Sequence, residues 1–308
     1  MSIDFKKLHN FVKVLDTGSL SKAAASLRIA QPALSQQIIA LEAYFNQKLI
    51  IRGSQGVKPT DAGIALYAHA QAILRHLDRA QSDVVSAGGG LSGRVSIGLA
   101  TYSPATSVAV PLLLQMKEQF PNILVHINDN FGQILSELVM TGRMDMAIIY
   151  GNQPIKGVQL EPLLTEVLCL VGPDAARLAP DSQSPVELTA LDNVPLVVPS
   201  KQHAVRWAID EGFSRARVRP LVAAEIESID TLTAAVKNGM GCTILPRSTA
   251  ISIASSALPV RRLIRPTLET SLSMCVSDHL PLSEAAVATK DMLNKILADF
   301  LVTPYNAR

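Results

Sequence analysis

Residues 19–45 carry two apolar stripes of helical period with only a few residues between them. Little can be built from that pattern except two short helices packed across a tight turn. Ser19 suits the cap of the first, with Leu20, Ala23, Ala24 and Leu27 on its inner face. After Ile29 and Ala30 comes QPALSQQI (31–38), where Pro32 fits the first turn of the second helix. Leu34, Ile38, Leu41 and Phe45 form the inward face of that helix. At roughly 100° per residue, Pro32, Ser35, Gln36 and Ile39 point outward, with Gln31 at the tip. A helix before both, with Phe5, Leu8, Phe11, Val12 and Leu15 recurring, stops at Gly18. The arrangement is a helix-turn-helix whose second helix offers amides and a hydroxyl rather than charge.

Such a face suits base edges. Glutamine makes paired hydrogen bonds to adenine in the major groove, serine serves several bases, and a helix N-terminus attracts phosphate. Residues 1–60 hold eight basic and three acidic residues, a net +5 in a chain of total +2, which leaves −3 for the rest. A basic head on a slightly acidic body implies a polyanion met by the head alone. Residues 49–52 and 57–58 read as short strands around the turn GSQG, so a hairpin follows the second helix as a wing. Arg52 and Lys58 on that wing can reach phosphate or the minor groove. Taken singly, each amide or hydroxyl of the helix face is equally readable as solvated surface, and each of the two wing charges more readily so.

Thr60 can cap a long helix starting at Asp61, about 40 Å in length if it runs to the glycines at 88. Leu66, Ala70, Ile73, Leu77, Ala80, Val84 and Ala87 alternate at spacings of four and three, which is the seam of a paired helix. GGGLSG (88–93) matches a dinucleotide-binding fingerprint in letters only. It follows a helix and precedes a strand, the reverse of what that fingerprint needs, so it reads as a hinge.

Beyond it, strand and helix patterns alternate. Strands are expected at 94–100, 123–128, 145–150, 166–172, 195–200, 220–226, 241–246 and 271–277, and helices at 107–119, 131–142, 204–217, 229–238 and 282–302. The alternation implies largely parallel α/β layers, and about 210 residues suit two subdomains with a cleft between them. Three strand-to-helix turns would face that cleft: Thr101, Tyr102 and Ser103; Ser200, Lys201 and Gln202; Glu227 and Ser228. Helix N-termini at strand ends suit a small, often anionic, ligand, although any such hydroxyl also serves as a plain cap.

Catalytic signatures do not appear. The sequence has no GxSxG elbow, no HExxH and no phosphate-binding GxxxxGK[ST] loop, and its six histidines show no ligand spacing. An enzyme on this body would need a convergent acid–base or nucleophilic set. A transport protein would need no basic head and would carry a leader, whereas His9, Asn10 and Lys13 interrupt any apolar run after Lys6 and Lys7. The longest charge-free run, between Arg94 and Lys117, contains Pro104 and Pro111, so no membrane span is expected. Cys169, Cys242 and Cys275 are widely spaced on apolar strand patterns, which suggests buried thiols in a reducing cytoplasm.

Taken together, the chain resembles the LysR-type transcriptional regulators over essentially its whole length. The head segments SLSKAAASLRIAQPALSQQIIALE and LIIRGSQGVKPTDAG carry most of the likeness, with LSGRVSIGLA and ESIDTLTAAVKNGMGCTILP in the body. IAQPALSQQ, GVKPTDAG and EIESIDTLTAA point to nitrogen assimilation control-type members. The resemblance implies an α+β multidomain chain. A winged helix-turn-helix occupies 1–60, and a dimerising linker helix and hinge 61–90. A periplasmic-binding-protein-like effector module occupies 91–308, with subdomain I at about 91–160 and 268–308 and subdomain II at about 161–267.

It also implies double-stranded DNA, a second copy through the linker helix, a tetramer of two dimers and RNA polymerase as partners. No membrane, metal or resident cofactor is implied, but a small effector in the cleft is. By motif, the recognition helix implicates Gln31, Pro32, Ser35 and Gln36, and the wing implicates Arg52. Gln36 stands where many members carry arginine, and GSQG lacks a second base often found there; both changes lower the charge of the face. Thr101, Ser200 and Ser228 align with effector turns, and Tyr102 is bulky enough to fill part of the cleft. Two alternatives within the family are a thiol-responsive regulator and an effector-independent one with a vestigial cleft. Outside it stands a small-molecule-binding protein.

Overall fold

Asp4 begins the first helix by accepting the Lys7 N–H on its side chain at 2.7 Å, and Gly18 ends it in the left-handed region at φ 61°. This helix, α1 (Phe5–Thr17), is followed by α2 (Leu20–Leu27), capped by Ser19, and α3 (Gln31–Phe45), which has Pro32 in its first turn. The hairpin β1 (Ile50–Gly53) and β2 (Gly56–Pro59) pairs Arg52 with Val57 and Ile51 with Lys58. Helix α4 (Asp61–Ser86) completes this part. The computed structural model describes residues 4–53, 56–86, 90–178, 184–255 and 258–305; Ser54 and Gln55 of the wing turn, and Ala87 to Gly89 of the seam and hinge, lie outside them. The chain divides after Gly90 into two compact units.

The head's core is Leu8, Phe11, Val14, Ala23, Ala24, Leu34, Ile38, Leu41, Leu49, Ile50 and Ala70. Phe45, expected on the inner face of α3, is instead 38% exposed and packs edge-on against Tyr44, because the helix ends there. The inward position one turn earlier belongs to Glu42, 7% exposed. Its carboxylate accepts from the Leu49 N–H at 3.0 Å, the Ile50 N–H at 3.4 Å and Lys48 Nζ at 2.9 Å, which ties the end of α3 to the wing. Thr60 caps α4 by accepting the Gly63 N–H at 3.0 Å. Gly63 is required there, since a Cβ would lie 2.0 Å from the Leu49 carbonyl oxygen.

Burial alone would raise the Glu42 pKa, but the Lys48 ammonium and the two N–H donors outweigh it and hold the group below its ordinary 4.5. A depressed folded pKa gives stability that is present above the unfolded value and lost as the pH falls through the folded one. Glu42→Gln should therefore destabilise the head by about 1–3 kcal/mol at neutral pH. The deficit should close as both proteins are taken into acid, which denaturant unfolding at pH 7 and pH 3 would show. A deficit independent of pH would mean that the charge is not what ties α3 to the wing.

The second unit begins with β3 (Gly93–Ala100), α5 (Ala105–Gln119), β4 (Ile123–Asn130), α6 (Gly132–Met140) and β5 (Met146–Tyr150), with β3 parallel to both β4 and β5. The long β6 (Val158–Val171) leads to β7 (Val186–Glu187), β8 (Pro195–Val198), α7 (Ala204–Ala216), β9 (Leu221–Glu225) and α8 (Ile229–Lys237). Then come β10 (Thr243–Pro246), α9 (Arg247–Ile253), β11 (Val260–Ile264), β12 (Glu269–Ser277) and α10 (Glu284–Tyr305).

The main sheet runs β4-β3-β5-β12-β6-β11-β7, with β10 also on β6, while β8 and β9 form a separate parallel pair. The expectation of largely parallel layers is corrected: β6 is antiparallel to β10, β11 and β12, and β12 to β5. Two subdomains joined by one outgoing strand, β6, and one returning strand, β12, need those two strands to run in opposite directions. Residues 158–167 of β6 pair with β12 beside β5, and 168–171 with β10 and β11, so this strand belongs to both subdomains. Residues 158–165 are strand although Glu161 and Pro162 break the apolar pattern that would announce one. Pro162 is accommodated opposite Ser273, where the register shifts.

Candidate nucleic-acid interface and effector cleft

On the head, Gln31, Pro32, Gln36, Arg52 and Lys58 are exposed, Ile39 is 51% exposed, and Ser35 is half-buried. Ala30 supplies no side-chain cap to α3, so its first-turn N–H groups are left to other partners. One contact has no sequence signal: Arg52 Nη1 donates to Ser35 Oγ at 2.8 Å, joining wing to helix. The amides of QPALSQQI differ in use. Gln37 accepts from the buried Asn10 amide and braces α1 against α3, whereas Gln31 and Gln36 stay at the surface.

Helix α4 does not present its expected seam as a whole. Ala70 is fully buried in the head's own core and Leu66 packs against that core, because the first turns of α4 lie on α1. Ile73 (40% exposed), Leu77, Ala80 and Val84 (75% exposed) lie outside that core, and Ala87 lies outside the described residues. The stripe is continuous, but its first two members serve intrachain packing.

In the second unit the turn after β3 holds Tyr102 at φ 63°, an uncommon conformation for a bulky residue. Thr249 Oγ1 fixes it there by donating to its carbonyl oxygen at 2.6 Å, with the Tyr150 hydroxyl, whose proton is shared with the Glu166 carboxylate at 2.9 Å, lying 3.2 Å away. The Tyr102 ring is 3% exposed and packs with Val197, Leu232 and Leu245, and its hydroxyl donates to the Ile226 carbonyl at 2.6 Å. It ties the turn after β3 to β8, α8 and β10.

His203, which sequence spacing gives no reason to single out, stands beside it. Its ring is 5% exposed and lies edge-on to Tyr102 and Phe131, with centroids 5.0 and 4.8 Å away. His203 Nε2 is 3.2 Å from a Glu227 carboxylate oxygen and 3.1 Å from Thr101 Oγ1. A carboxylate can only accept, so this geometry places the proton on Nε2, with Thr101 sharing it as a second acceptor. Burial lowers the His203 pKa, and the Glu227 charge only partly restores it.

The other expected residues have mixed positions. Ser103 is buried. Ser228 is exposed and spends its oxygen as the cap of α8, accepting the Thr231 N–H at 3.3 Å. Lys201 is exposed, and its carbonyl accepts from the Trp207 indole at 2.6 Å. Ser200 Oγ is buried with no partner among the described residues. Arg206 donates to Asp210 at 2.7 Å, Glu225 at 2.8 Å and the Pro199 carbonyl at 2.9 Å, fastening α7 to the end of β8 and to β9.

The thiols do not meet. Cys169, Cys242 and Cys275 belong to three different apolar clusters. Cys169 faces Leu245 across the β6–β10 ladder, three residues along from Cys242, too far for a disulfide without backbone movement. Burial pushes the Cys169 thiol up to about 11 and the Cys275 thiol up to about 12, away from the reactive thiolate. Among the described residues no His, Cys, Asp or Glu group is placed to hold a metal, and no helix is long and apolar enough to cross a membrane.

Residues 5–64 match the family model for the bacterial regulatory helix-turn-helix protein of the lysR family, and residues 88–298 match the LysR substrate binding domain. The chain belongs to the LysR family of transcriptional regulators. The nitrogen assimilation regulatory protein nac of Escherichia coli is 42% identical to it, and that of Klebsiella aerogenes 40%, each over 96% of both chains. A single-residue variant of full-length OxyR from Pseudomonas aeruginosa has the same fold, with a TM-score of 0.72 at 21% identity over 96% of this chain and 95% of that one. So does the LysR family regulator CbnR, solved with its target DNA, with a TM-score of 0.69 at 19% identity over 96% of this chain and all of that one. The LysR family is one of transcriptional regulators rather than enzymes, and this chain carries both its DNA-binding and its effector-binding domains.

Proposed function

We propose that this LysR-type regulator controls nitrogen-related genes in the cytoplasm, reading its operator with the outer face of α3 and gripping the backbone with the wing. The observation that carries the reading is the pairing of 42% identity to a nitrogen assimilation regulator over 96% of both chains with an exposed, uncharged polar face on α3. Gln31, Pro32, Ser35 and Gln36 are the base-reading set, and Arg52 and Lys58 approach phosphate. The chain acts as a dimer through Ile73, Leu77, Ala80 and Val84 of α4. In the effector module, Val110, Leu113 and Leu114 on α5 and Leu124 on the edge strand β4 are exposed, which supports assembly of two dimers into a tetramer. RNA polymerase is the further partner that transcriptional control implies.

For the cleft there are two readings. In the first, Thr101, Tyr102, Ser103, Ser200, Lys201 and Ser228 surround a small effector, and the unpartnered Ser200 hydroxyl supports it. In the second the regulator needs no effector. The packing of Tyr102 across the cleft favours this one, because the ring already occupies space a metabolite would need.

One experiment addresses both layers: recovering the genomic fragments that the purified chain retains, with and without a panel of nitrogen metabolites. Retention of fragments upstream of nitrogen-metabolism genes is expected, and recovery of unrelated fragments would refute the proposal. A fragment set that changes with one metabolite selects the first reading of the cleft, and an unchanged set selects the second.

A further inference from the structure

We propose that Arg52 is a positioning residue for Ser35: by donating to the Ser35 hydroxyl it turns that hydroxyl into a hydrogen-bond donor toward the DNA, so the wing helps set base preference at a position read by α3. This rests on the reading of α3 as the recognition helix.

Four other helical hydroxyls in this chain bond inward. Ser26, Ser136 and Ser252 donate to the carbonyl three residues earlier, and Thr289 to the carbonyl four residues earlier, at 2.7–3.0 Å. That back-bond spends the hydroxyl proton inside the helix. Ser35 lies in the interior of α3 and makes a different bond, accepting from Arg52 Nη1 at 2.8 Å. A serine oxygen has one proton and two lone pairs. With the guanidinium on one lone pair, the proton points away from Arg52, and the nearby positive charge makes it a better donor and the oxygen a poorer acceptor.

The consequence is chemical. A serine free to rotate can face either a donor or an acceptor, which makes it a poor reader. One held as a donor favours base edges that accept, namely guanine N7 and O6, adenine N7 or thymine O4, over the amino group of cytosine. The geometry supports this use. Ser35 is half-buried between helix and wing, whereas Gln31 and Gln36 are exposed on either side of it along α3 and free to contact neighbouring bases. The register of the hairpin, with Arg52 opposite Val57 beside the antiparallel Ile51–Lys58 pair, fixes where Arg52 leaves the wing.

The test is a selection from random double-stranded DNA with the full-length parent, Arg52→Ala, Ser35→Ala and the double variant. Both side chains reach the surface, and neither belongs to the head's core. Arg52→Ala and Ser35→Ala should relax preference at the same base position, each by about tenfold, and the double variant should relax that position no further. Arg52→Ala should also flatten the salt dependence by about one phosphate, which Ser35→Ala should not. Weaker binding by Arg52→Ala with an unchanged motif, or loss of preference at a different position from Ser35→Ala, would overturn the coupling while leaving α3 as the reader. A parent that recovers no motif would instead remove the reading of α3 and the coupling with it.

Discussion

Phe11→Ala should separate the two units of this protein, abolishing DNA binding at 37 °C while leaving the effector module folded. Phe11 is fully buried at the centre of the head, among Leu8, Val14, Leu34, Ile38 and Leu41. Truncating a buried phenylalanine costs about 3–5 kcal/mol through lost burial and the cavity left behind. A small domain holds roughly 5–15 kcal/mol of stability in all, so the loss leaves little margin. The effector module has its own cores, one running from Val95 to Leu297 and two smaller ones around Tyr102 and Leu135. Calorimetry of the variant should therefore show one transition moved to much lower temperature and the other unchanged. Two transitions shifted together would mean that the head is not an independent folding unit.

How much of the fold is legible in the sequence varies by element, and the reasons are physical. The helix-turn-helix is readable because Ser19, Gly18 and Pro32 punctuate the chain locally and the stripes on α2 and α3 repeat at helical period. Phe45 is misplaced by the same rule, because it is the last residue before Asn46 turns left-handed and ends α3, and periodicity does not say that the cover stops there. Ala70 and Leu66 read as part of a paired seam because an apolar stripe does not say whether its cover comes from the same chain or another. Half of the β6–β12 ribbon escapes the pattern because strand direction and bulges depend on pairing that is distant in sequence; Pro162 finds its place only opposite Ser273.

The sites follow the same rule. Gln31, Ser35, Gln36 and Arg52 can be named from helix phase and hairpin position, but the Arg52–Ser35 bond joins residues 17 apart and leaves no periodic trace. In the cleft, the strand-end turns locate Thr101 and Glu227. They do not locate His203, because its partners at 101, 131 and 227 converge only when both subdomains are folded. Tyr102 carries a usable signal, since a large side chain in a turn expected to line a cleft must either fill it or be moved. Its ring is buried, and the residue is anchored at its carbonyl and at its hydroxyl.

In this reading a basic head supplies grip while the uncharged face of α3 supplies choice. A dimer placing about six basic groups on phosphate should lose roughly a thousandfold in affinity between 50 and 200 mM salt, as condensed counterions are no longer released to advantage. Gln36→Ala should leave that slope unchanged, because it removes no charge, and should change which bases are preferred at one position in each half-site by about 1–3 kcal/mol. Gln36 is well suited to this test because it is exposed, while Leu34, Ile38 and Leu41 hold α3 in the core without it. The most direct measurement is selection from random DNA by the parent and by Gln36→Ala, with affinities for the recovered sequences taken at both salt concentrations. Equal salt slopes with a changed motif are the predicted result; the same motif recovered by both proteins would show that this face is solvated surface and that the choice of operator is made elsewhere.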